Sequence, residues 1–497
     1  MLFNSPTFLF AFLPVVFALF FLFGNFSALA ARWWLILASL FFYAWWNPPY
    51  VLLLLVSAMF NYATGQALQN WKLSEDTIVS KKVLLYLGLT FNIVLLGYFK
   101  YFAFLLSIVA GVSGLRFEAG DIVLPLAISF YTFQKIAYLV DSFFGKIKEK
   151  SFLNYLLFVA FFPPLIAGPI VHYSEVLPQF RDPGTYRVNA ANVADGLAIF
   201  LLGLAKKIVL ADEFARHANA GFDGAAAGTD VSFIVAWMAA LAYTLQLYFD
   251  FSGYSDMAIG LARMFNVRLP RNFNAPYQAT NIIEFWRRWH MTLFRFLRDY
   301  VYIPLGGNRR GLARRYANVL LTMVIGGLWH GAAWTFVLWG TLHGLYLVVN
   351  HLWRTLSGGP HGGRLGSVFA HVVTLFAVIV AWVLFRSADL ATAFRLYKGM
   401  VGWNGALFPE HFLTIFPSLR RISVGVSIVP GLADSSIVGT IESFAMLGLG
   451  ISIALFTPPL HRMSERTLLA LVELSFAFTF QKAVFSPHIS PFLYFQF

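Results

Sequence analysis

Long apolar runs recur along the whole chain and are separated by short polar connections. Each run reaches or approaches the roughly 20 apolar residues that an α-helix needs to cross the hydrocarbon core of a bilayer. The pattern predicts an all-α polytopic membrane protein with about ten to twelve transmembrane helices, together with re-entrant or interfacial helices. The predicted spans lie near Thr7–Phe23, Trp33–Trp46, Tyr50–Ala67, Val83–Val112, Ile122–Val140, Phe152–Val171, Val193–Leu210, Val231–Phe265, Ala332–Trp353, Val368–Phe385, Ser443–Leu460 and Thr467–Phe485.

Composition indicates the same class of protein. Hydrophobic residues make up 59% of the 497 residues and charged residues only 12%, whereas roughly 25% of a soluble domain is charged. The net charge of +13 would suggest nucleic acid as the partner of a soluble protein. Because the basic residues here cluster between apolar runs, we expect membrane lipids or an anionic substrate as partners, and no nucleic acid.

The chain contains no cysteine. Disulfides, thiolate metal sites and thioesters on the protein itself are therefore excluded. We expect no metal and no tightly bound cofactor. If the protein handles acyl groups, the thiol must belong to a donor substrate, either acetyl-CoA or an acyl-carrier thioester.

The segment Asn318–Gly344 is apolar enough to lie in a bilayer, yet it carries two histidines, His330 and His343. His330 follows a pair of glycines, which we expect to weaken a helix, and directly precedes a third glycine. An ionisable residue on a broken segment at membrane depth is by default a candidate for a functional site. His330 is therefore the first candidate catalytic residue, whereas His343 has no predicted role beyond packing near Trp339.

A second segment, Leu245–Gly260, places the carboxylates Asp250 and Asp256 within a long apolar run. Buried carboxylates in a membrane segment cost several kcal/mol unless they are paired, so they need partners from other helices. Two interpretations stay open. Either the polar residues form a structural cluster that joins helices, or one carboxylate orients a catalytic histidine.

A third segment, Glu284–Ile303, has one wide apolar face at helical spacing. This pattern predicts a single amphipathic helix at the membrane interface rather than a span. His290 lies at the edge of the apolar face, either as an interfacial residue or as a second active-site group. The polar face is suited to lipid headgroups or to the phosphates of an anionic donor, and its arginines are Arg287, Arg288, Arg295 and Arg298.

The C-terminal tail, Ser486–Phe497, is aromatic and uncharged from Ile489 to its terminal carboxylate. Termini fray unless something buries them, and a chain end this apolar is not expected to remain in water. It serves either as an anchor in the lipid or as an insert that brings Tyr494 into a cavity of the enzyme.

Several long motifs carry a family resemblance. The motifs are FYAWW (Phe42–Trp46), GYFKY (Gly97–Tyr101), LPLAISFYTFQKIAYLVD (Leu124–Asp141), FFPPLIAGPI (Phe161–Ile170), QLYFDFSGYSDMAIG (Gln246–Gly260), NFNAPY (Asn272–Tyr277), EFWRRWHMTL (Glu284–Leu293), RDYVYIPLGGNR (Arg298–Arg309) and GGLWHGAAWTFVLWGTLHG (Gly326–Gly344). They resemble the alginate O-acetyltransferase branch of the membrane-bound O-acyltransferases from the first helix to about Arg386. We therefore treat 1–497 as one integral-membrane acyltransferase domain, with a family-like core at 1–386, less typical helices at 387–485 and the tail at 486–497.

The resemblance implies a multi-helix fold around a central catalytic funnel, where a cytosolic acyl thioester meets an acceptor from the other face. It also implies that the WHG histidine, His330, is catalytic and that the RRWH histidine, His290, completes the usual pair. The implied enzyme is a multi-pass O-acetyltransferase of the bacterial inner membrane. It acts with a periplasmic partner of the SGNH-hydrolase type on an exported polysaccharide such as alginate, cellulose or peptidoglycan.

Acyl transfer to oxygen needs a base that takes the proton of the attacking hydroxyl, and a neutral imidazole suits this task. We assign His330 as that base and expect His290 to orient the donor or to stabilise the developing oxyanion. Either Asp250 or Asp256 is placed to hold the tautomer of an imidazole. Trp329 either walls the site or packs against lipid.

The tail has a narrower resemblance of its own. FLYFQF, at Phe492–Phe497, is similar to the aromatic C-terminal motif of the small helper peptide in teichoic-acid D-alanylation. That resemblance implies that Tyr494 carries an acetyl group transiently, with His330 as its base. The competing hypothesis for the whole chain is a lipid or acyl-carrier transporter or flippase without transferase chemistry. The two motif histidines and the lack of an internal repeat favour the acyltransferase.

Overall fold

The computed structural model describes residues 1–70, 75–115, 120, 122–357, 363–406, 424–425, 441–485 and 490–493. The chain is mostly helical, at 79%, which confirms the predicted all-α class. Within the described ranges, two-residue strands at Gly405–Ala406 and Val424–Gly425 pair antiparallel. Tyr494 lies outside the described residues, as do Ser486–Ile489 and the last three residues of the tail.

The α-helices are numbered in chain order. They are α1 Leu13–Phe26, α2 Ala28–Ala44, α3 Pro49–Gln69, α4 Glu75–Leu96, α5 Phe102–Ser113, α6 Ile128–Phe143, α7 Phe152–Ala160, α8 Phe162–Leu165, α9 Tyr173–Val176, α10 Ala190–Ala205, α11 Asp212–Ala226, α12 Phe233–Met264, α13 Ile282–Arg288, α14 Met291–Leu297, α15 Gly311–His330, α16 Trp334–Leu356, α17 Arg364–Arg386, α18 Leu390–Met400, α19 Ile441–Phe456 and α20 Glu465–Phe485. Turns of π-helix occur at Phe8–Phe12, Gly97–Tyr101, Lys206–Ala211 and Arg298–Tyr302, and turns of 3₁₀-helix at Leu177–Arg181, Pro183–Tyr186, Pro276–Gln278 and Leu460–Arg462.

The chain divides into two compact units. The first unit contains Met1–Leu204, Tyr254–Asn272 and the C-terminal stretch that begins at Arg466. The second unit contains Ala205–Gly253 and Phe273–Glu465. Both candidate catalytic histidines belong to the second unit, and the described residues of the tail belong to the first.

Six of the described helical stretches are long and apolar enough to cross a membrane, and two more apolar helices, Ala28–Ala44 and Glu442–Phe456, are shorter. The helix count of about ten to twelve stays a prediction for the whole chain. One predicted run is split, because α7 ends at Ala160 and the prolines that follow cannot donate the backbone hydrogen bonds of a continuing helix. The six long stretches are Phe8–Phe26, Pro49–Gln69, Ser80–Ser113, Phe233–Met264, Arg364–Arg386 and Glu465–Phe485.

The hairpin of α15 and α16 departs from expectation at its glycines. We expected Gly326 and Gly327 to weaken the helix, but α15 continues through both and ends at His330. A Cβ added at Gly327 would lie 2.3 Å from the carbonyl oxygen of Phe336, and one at Gly340 would lie 2.4 Å from that of Met323. These glycines therefore let the two helix backbones approach closely, and the chain breaks only beyond His330.

The close packing makes a stability prediction. Gly340→Ala should lower the thermal unfolding midpoint of the purified protein, because the added methyl group overpacks the hairpin by about 1–3 kcal/mol. Gly111→Ala is the matched control, since a Cβ at that helical glycine meets nothing within 4 Å and alanine favours a helix. Intrinsic tryptophan fluorescence during a thermal ramp provides the measurement. Equal midpoints for the two variants would contradict the packing role of Gly340.

Candidate active site

The second unit breaks a helix at His290, and the predicted single amphipathic helix Glu284–Ile303 is therefore wrong. Helix α13 ends at Arg288, Trp289 is extended, and His290 adopts φ +42° and ψ +53° before α14 begins. Periodicity missed this break because Trp289 is 3% exposed and His290 0% exposed, so both remain buried as a helical apolar face would be. A left-handed backbone at a non-glycine residue is strained, and such strain clusters at functional sites.

His330 is the last residue of α15 and is 4% exposed. Its ring centroid lies 6.4 Å from that of His290, with the ring planes at 61°. The structure therefore brings the two motif histidines together, although one lies in the break before α14, the other ends α15, and they are 40 residues apart in the sequence. A reacting group between the two rings would be within reach of both.

Aromatic side chains enclose this pair. The ring of Trp329 lies 4.8 Å from His330 and 5.8 Å from His290, and Trp329 is 3% exposed. The rings of Trp339 and Phe385 lie 5.2 Å and 5.0 Å from His330. The position of Trp329 fits the wall of the site, the first of the two roles considered for it.

Burial fixes the charge of one member of the pair. Removal from water lowers the pKa of His290 well below its ordinary value of 6.5, because a low dielectric disfavours the charged form. Below this lowered pKa the ring would be cationic, and above it the ring is neutral. His290 is therefore a neutral imidazole at physiological pH, with one nitrogen that donates a hydrogen bond and one that accepts.

His343 has a role that sequence reasoning missed. The residue is fully buried, and its Nδ1 accepts a hydrogen bond from the indole Nε1 of Trp286 at 3.3 Å. The ring also lies parallel to that of Phe285, at 6.3 Å and 7°. His343 therefore holds the end of α13 just before the break at His290. No local sequence pattern pairs it with a tryptophan 57 residues away.

The carboxylate of Asp250 has a buried cationic partner. Lys207 Nζ lies 2.7 Å from Asp250 Oδ1 and 2.8 Å from Asp212 Oδ1, and Lys207 and Asp250 are each 2% exposed. The ring of Phe251, the next residue of α12, lies 4.7 Å from that of His290. The ion pair thus anchors the turn of α12 that packs against His290.

Sequence reasoning did not single out Lys207, whose only signal was a lysine pair within an apolar run. Asp256 lies further along α12, where it is half-buried and belongs to the first unit. The two carboxylates that the sequence grouped therefore differ in their surroundings. Within the described residues, no three histidine or carboxylate side chains cluster closely enough to hold a metal ion.

Two arginines of the predicted polar face, Arg288 and Arg298, form ion pairs with carboxylates of their own segment. Arg288 pairs with Glu284 one turn earlier and also donates to the carbonyl oxygen of Ala275. Arg298 pairs with Asp299 through two contacts of 2.6 Å and 3.0 Å and is exposed. Arg295 is half-buried on α14. The guanidinium groups of Arg288 and Arg298 are thus already occupied by carboxylates.

A different set of cations gathers around His351. Arg315 donates a hydrogen bond to His351 Nδ1 at 2.9 Å, and the charges of Arg354 and Arg287 also act on that ring. Three helices, α13, α15 and α16, contribute to this cluster. Among the residues described, none of the three arginines has a carboxylate partner. The cluster of Arg287, Arg315, His351 and Arg354 therefore carries uncompensated positive charge, and we refer to it as the cationic cluster.

Comparison with known proteins covers the residues of this candidate site. The family model "MBOAT, membrane-bound O-acyltransferase family" matches residues 141–385, which include Asp250, His290, His330 and His343. The chain is 42% identical to a peptidoglycan O-acetyltransferase of Helicobacter pylori, over 100% of this chain and 98% of that relative.

Two further relatives match a smaller part of this chain. The chain is 41% identical to a probable alginate O-acetylase of Pseudomonas aeruginosa, over 81% of this chain and 75% of the relative. It is 28% identical to a teichoic acid D-alanyltransferase of Streptococcus thermophilus, over 46% of this chain and 57% of the relative.

The residues that these comparisons match include the two helix breaks, the enclosed histidine pair and the buried ion pair of α12. The similarity to the first relative extends over all of this chain and 98% of that relative. The chain is a multi-pass membrane acyltransferase and belongs to the membrane-bound O-acyltransferase family, in the branch of the alginate O-acetylases.

Proposed function

We propose that this protein moves acetyl groups from a cytosolic thioester donor across the bacterial inner membrane, for O-acetylation of an exported polysaccharide. The observation that carries the proposal is the buried pair of His290 and His330, whose rings lie 6.4 Å apart. Among the acceptors alginate, cellulose and peptidoglycan, similarity over 100% of the chain to a peptidoglycan O-acetyltransferase favours peptidoglycan. A periplasmic partner of the SGNH-hydrolase type completes transfer to the polymer.

His330 acts as the general base. Its ring nitrogen takes the proton of the acceptor hydroxyl while the hydroxyl oxygen attacks the carbonyl carbon of the thioester. The resulting tetrahedral intermediate collapses, the carbon–sulfur bond breaks, and the proton passes from the imidazole to the departing thiolate. The enclosure of His330 by Trp329, Trp339 and Phe385 supports this role because it excludes bulk water, which would hydrolyse the thioester.

His290 stabilises the oxyanion of the tetrahedral intermediate. As a neutral ring it donates one hydrogen bond without introducing a positive charge that would need a partner in the apolar site. Removing a preorganised donor of this kind costs about 3 kcal/mol of transition-state stabilisation. Asp250 acts indirectly, because its pair with Lys207 fixes the turn of α12 that packs Phe251 against His290.

The donor's phosphate binds the cationic cluster of Arg287, Arg315, His351 and Arg354. Arginine binds phosphate through planar, multidentate donors, and these arginines have no carboxylate partner among the described residues. Arg315 precedes His330 on α15 by about 22 Å along the helix axis, at 1.5 Å per residue. That separation suits a donor in which a long pantetheine arm lies between the phosphate and the thioester.

Tyr494 receives the acetyl group first. Its phenol oxygen attacks the thioester with His330 as base, and the acetyl-tyrosine ester then passes the group to a hydroxyl of the periplasmic partner. The residues directly before Tyr494 support insertion into the protein rather than anchoring in lipid, since Phe492 is 1% exposed and Leu493 is 4% exposed.

The first functional prediction concerns His330. His330→Gln should reduce acetyl-thioester turnover by about 10²–10⁴-fold, because the base that accepts the hydroxyl proton is lost. Donor binding, measured by isothermal titration calorimetry with a non-hydrolysable thioester analogue, should survive. His217→Gln is the matched control, since His217 is also a buried histidine of the second unit and has no proposed role in the reaction. Turnover that persists in His330→Gln would sink this assignment, and a transporter without transferase chemistry would show no turnover in any variant.

The second prediction concerns the donor site. Arg315→Gln should raise the KM for the donor by about tenfold or more, with little change in kcat, because a charge-assisted contact to the phosphate is lost. Arg298→Gln, whose parent guanidinium is held by Asp299, should leave KM near that of the unaltered enzyme. Steady-state kinetics over a range of donor concentrations distinguishes the two. Equal KM values for Arg315→Gln and Arg298→Gln would contradict a role of the cationic cluster in donor binding.

The third prediction concerns the tail. Tyr494→Phe should abolish polysaccharide acetylation in cells, since it removes only the hydroxyl that accepts the acetyl group. Mass spectrometry of the C-terminal peptide from unaltered enzyme quenched after donor addition should show an added acetyl group at Tyr494. We call this transfer of acetyl through Tyr494 the relay. Full acetylation of the polymer in cells that carry Tyr494→Phe would disprove it.

A further inference from the structure

Asn4, near the start of the chain, contacts Ser490, near its end, within the first unit. The side-chain amide Nδ2 of Asn4 donates a hydrogen bond to the carbonyl oxygen of Ser490 at 3.1 Å. Asn4 is 4% exposed and Phe3 is 1% exposed. The contact is therefore partly buried, and it links residues 486 positions apart.

An aromatic stack extends this contact. The rings of Phe3 and Tyr254 lie 5.0 Å apart with their planes at 16°, and Tyr254 meets Phe492 edge to face at 4.7 Å. Tyr254 belongs to α12, the helix that also carries Asp250 one turn earlier in the sequence. Offset and edge-to-face pairs of this kind add about 0.5–1.5 kcal/mol beyond the area that they bury.

The N-terminal residues are themselves held in place. Ser5 donates its hydroxyl to the carbonyl oxygen of Leu2 at 2.7 Å, and its Oγ accepts from the N–H of Phe8 at 3.3 Å. The ring of Phe3 also packs 4.9 Å from that of Phe8 and 5.6 Å from that of Phe42. Phe3 and Asn4 are therefore a fixed surface rather than a loose end.

We propose that Phe3 and Asn4 form a seat that holds the backbone of Ser490 and, through Tyr254, the ring of Phe492, and thereby restrains the tail that carries the acetyl acceptor Tyr494. This inference rests on the proposed role of Tyr494. The seat has one polar contact to the tail backbone, from Asn4, and one apolar contact, relayed from Phe3 through Tyr254 to Phe492. The backbone contact sets the depth of the segment, and the aromatic contact excludes water from it. Phe3 and Asn4 are positioning residues, since neither is assigned a contact with the donor or the acetyl group.

The lack of cysteine in the chain gives a direct test. Leu493→Cys places a single thiol at a buried residue next to Tyr494, and its rate of reaction with a maleimide reports how often the segment leaves its seat. Adding Asn4→Ala should raise that rate about fivefold, the effect expected for the net loss of one hydrogen bond. Adding Asn154→Ala should leave the rate unchanged, because this buried asparagine bonds to Arg32 and Glu149 elsewhere in the first unit.

A functional readout separates positioning from a general loss of stability. In the chain with native Leu493, Asn4→Ala should lower the rate of acetyl-Tyr494 formation, followed by mass spectrometry, while the KM for the donor stays unchanged. Phe3→Leu, which keeps an apolar side chain and disturbs the N-terminal turn less than alanine would, should have the same effect to a smaller extent. The Asn154→Ala control should acetylate at the unaltered rate.

The outcomes distinguish the seat from the relay. If Asn4→Ala changes neither maleimide labelling nor acetyl-Tyr494 formation while Tyr494→Phe is inactive, the seat is wrong and the relay stands. If Tyr494→Phe is fully active while Asn4→Ala still exposes Cys at position 493, the relay is wrong and the tail is seated without carrying acetyl. Equal labelling increases with Asn4→Ala and Asn154→Ala would mean that the first unit loosens as a whole, and would overturn the seat.

Discussion

Backbone groups at a helix end have no partner within the helix, and inside a membrane protein there is little water to supply one. The second unit places both candidate catalytic histidines at such ends. The N–H of Trp289 donates to the carbonyl oxygen of Phe285 at 2.8 Å, and the carbonyl oxygen of His290 accepts from Phe294 at 3.0 Å. The chain thus satisfies one backbone group on each side of the break at His290 without help from water.

The same constraint explains how His330 is presented. The glycines of α15 and α16 bring the two backbones close enough to pack along the hairpin, so α15 stays regular up to its last residue. Gly331 then takes an extended conformation, and its N–H closes the helix through the carbonyl oxygen of Gly327 at 3.4 Å. A larger residue at position 331 would collide with the ring of Phe336, since an added Cβ would lie 2.0 Å from that ring. The close packing of the hairpin therefore fixes where the imidazole can be.

Sequence reasoning succeeded where the signal is local. The apolar runs indicated the helical membrane class, and the two histidines could be identified as a pair because each sits within a long family motif. It failed where two distant residues share one contact. Neither the bond of Trp286 to His343 nor the pair of Lys207 and Asp250 leaves a periodic trace, because only the folded chain brings these side chains together. Sequence periodicity missed the break at His290 for a related reason, since burial on both sides of the break preserves the apolar pattern of an unbroken helix.

A relay through the chain's own tyrosine would remove the need for the active site to hold the donor and the polymer at the same time. In the proposed reaction the donor is cytosolic and the polymer lies outside, so a single active-site pose would have to hold a thioester and a large acceptor at once. An acceptor hydroxyl that is covalently part of the enzyme makes the first transfer intramolecular, and well-oriented intramolecular reactions reach effective concentrations far above those of free reactants. That advantage depends on how little freedom the tail retains. Burial of Phe492 and Leu493, with the backbone of Ser490 bonded to Asn4, removes much of that freedom before the donor arrives.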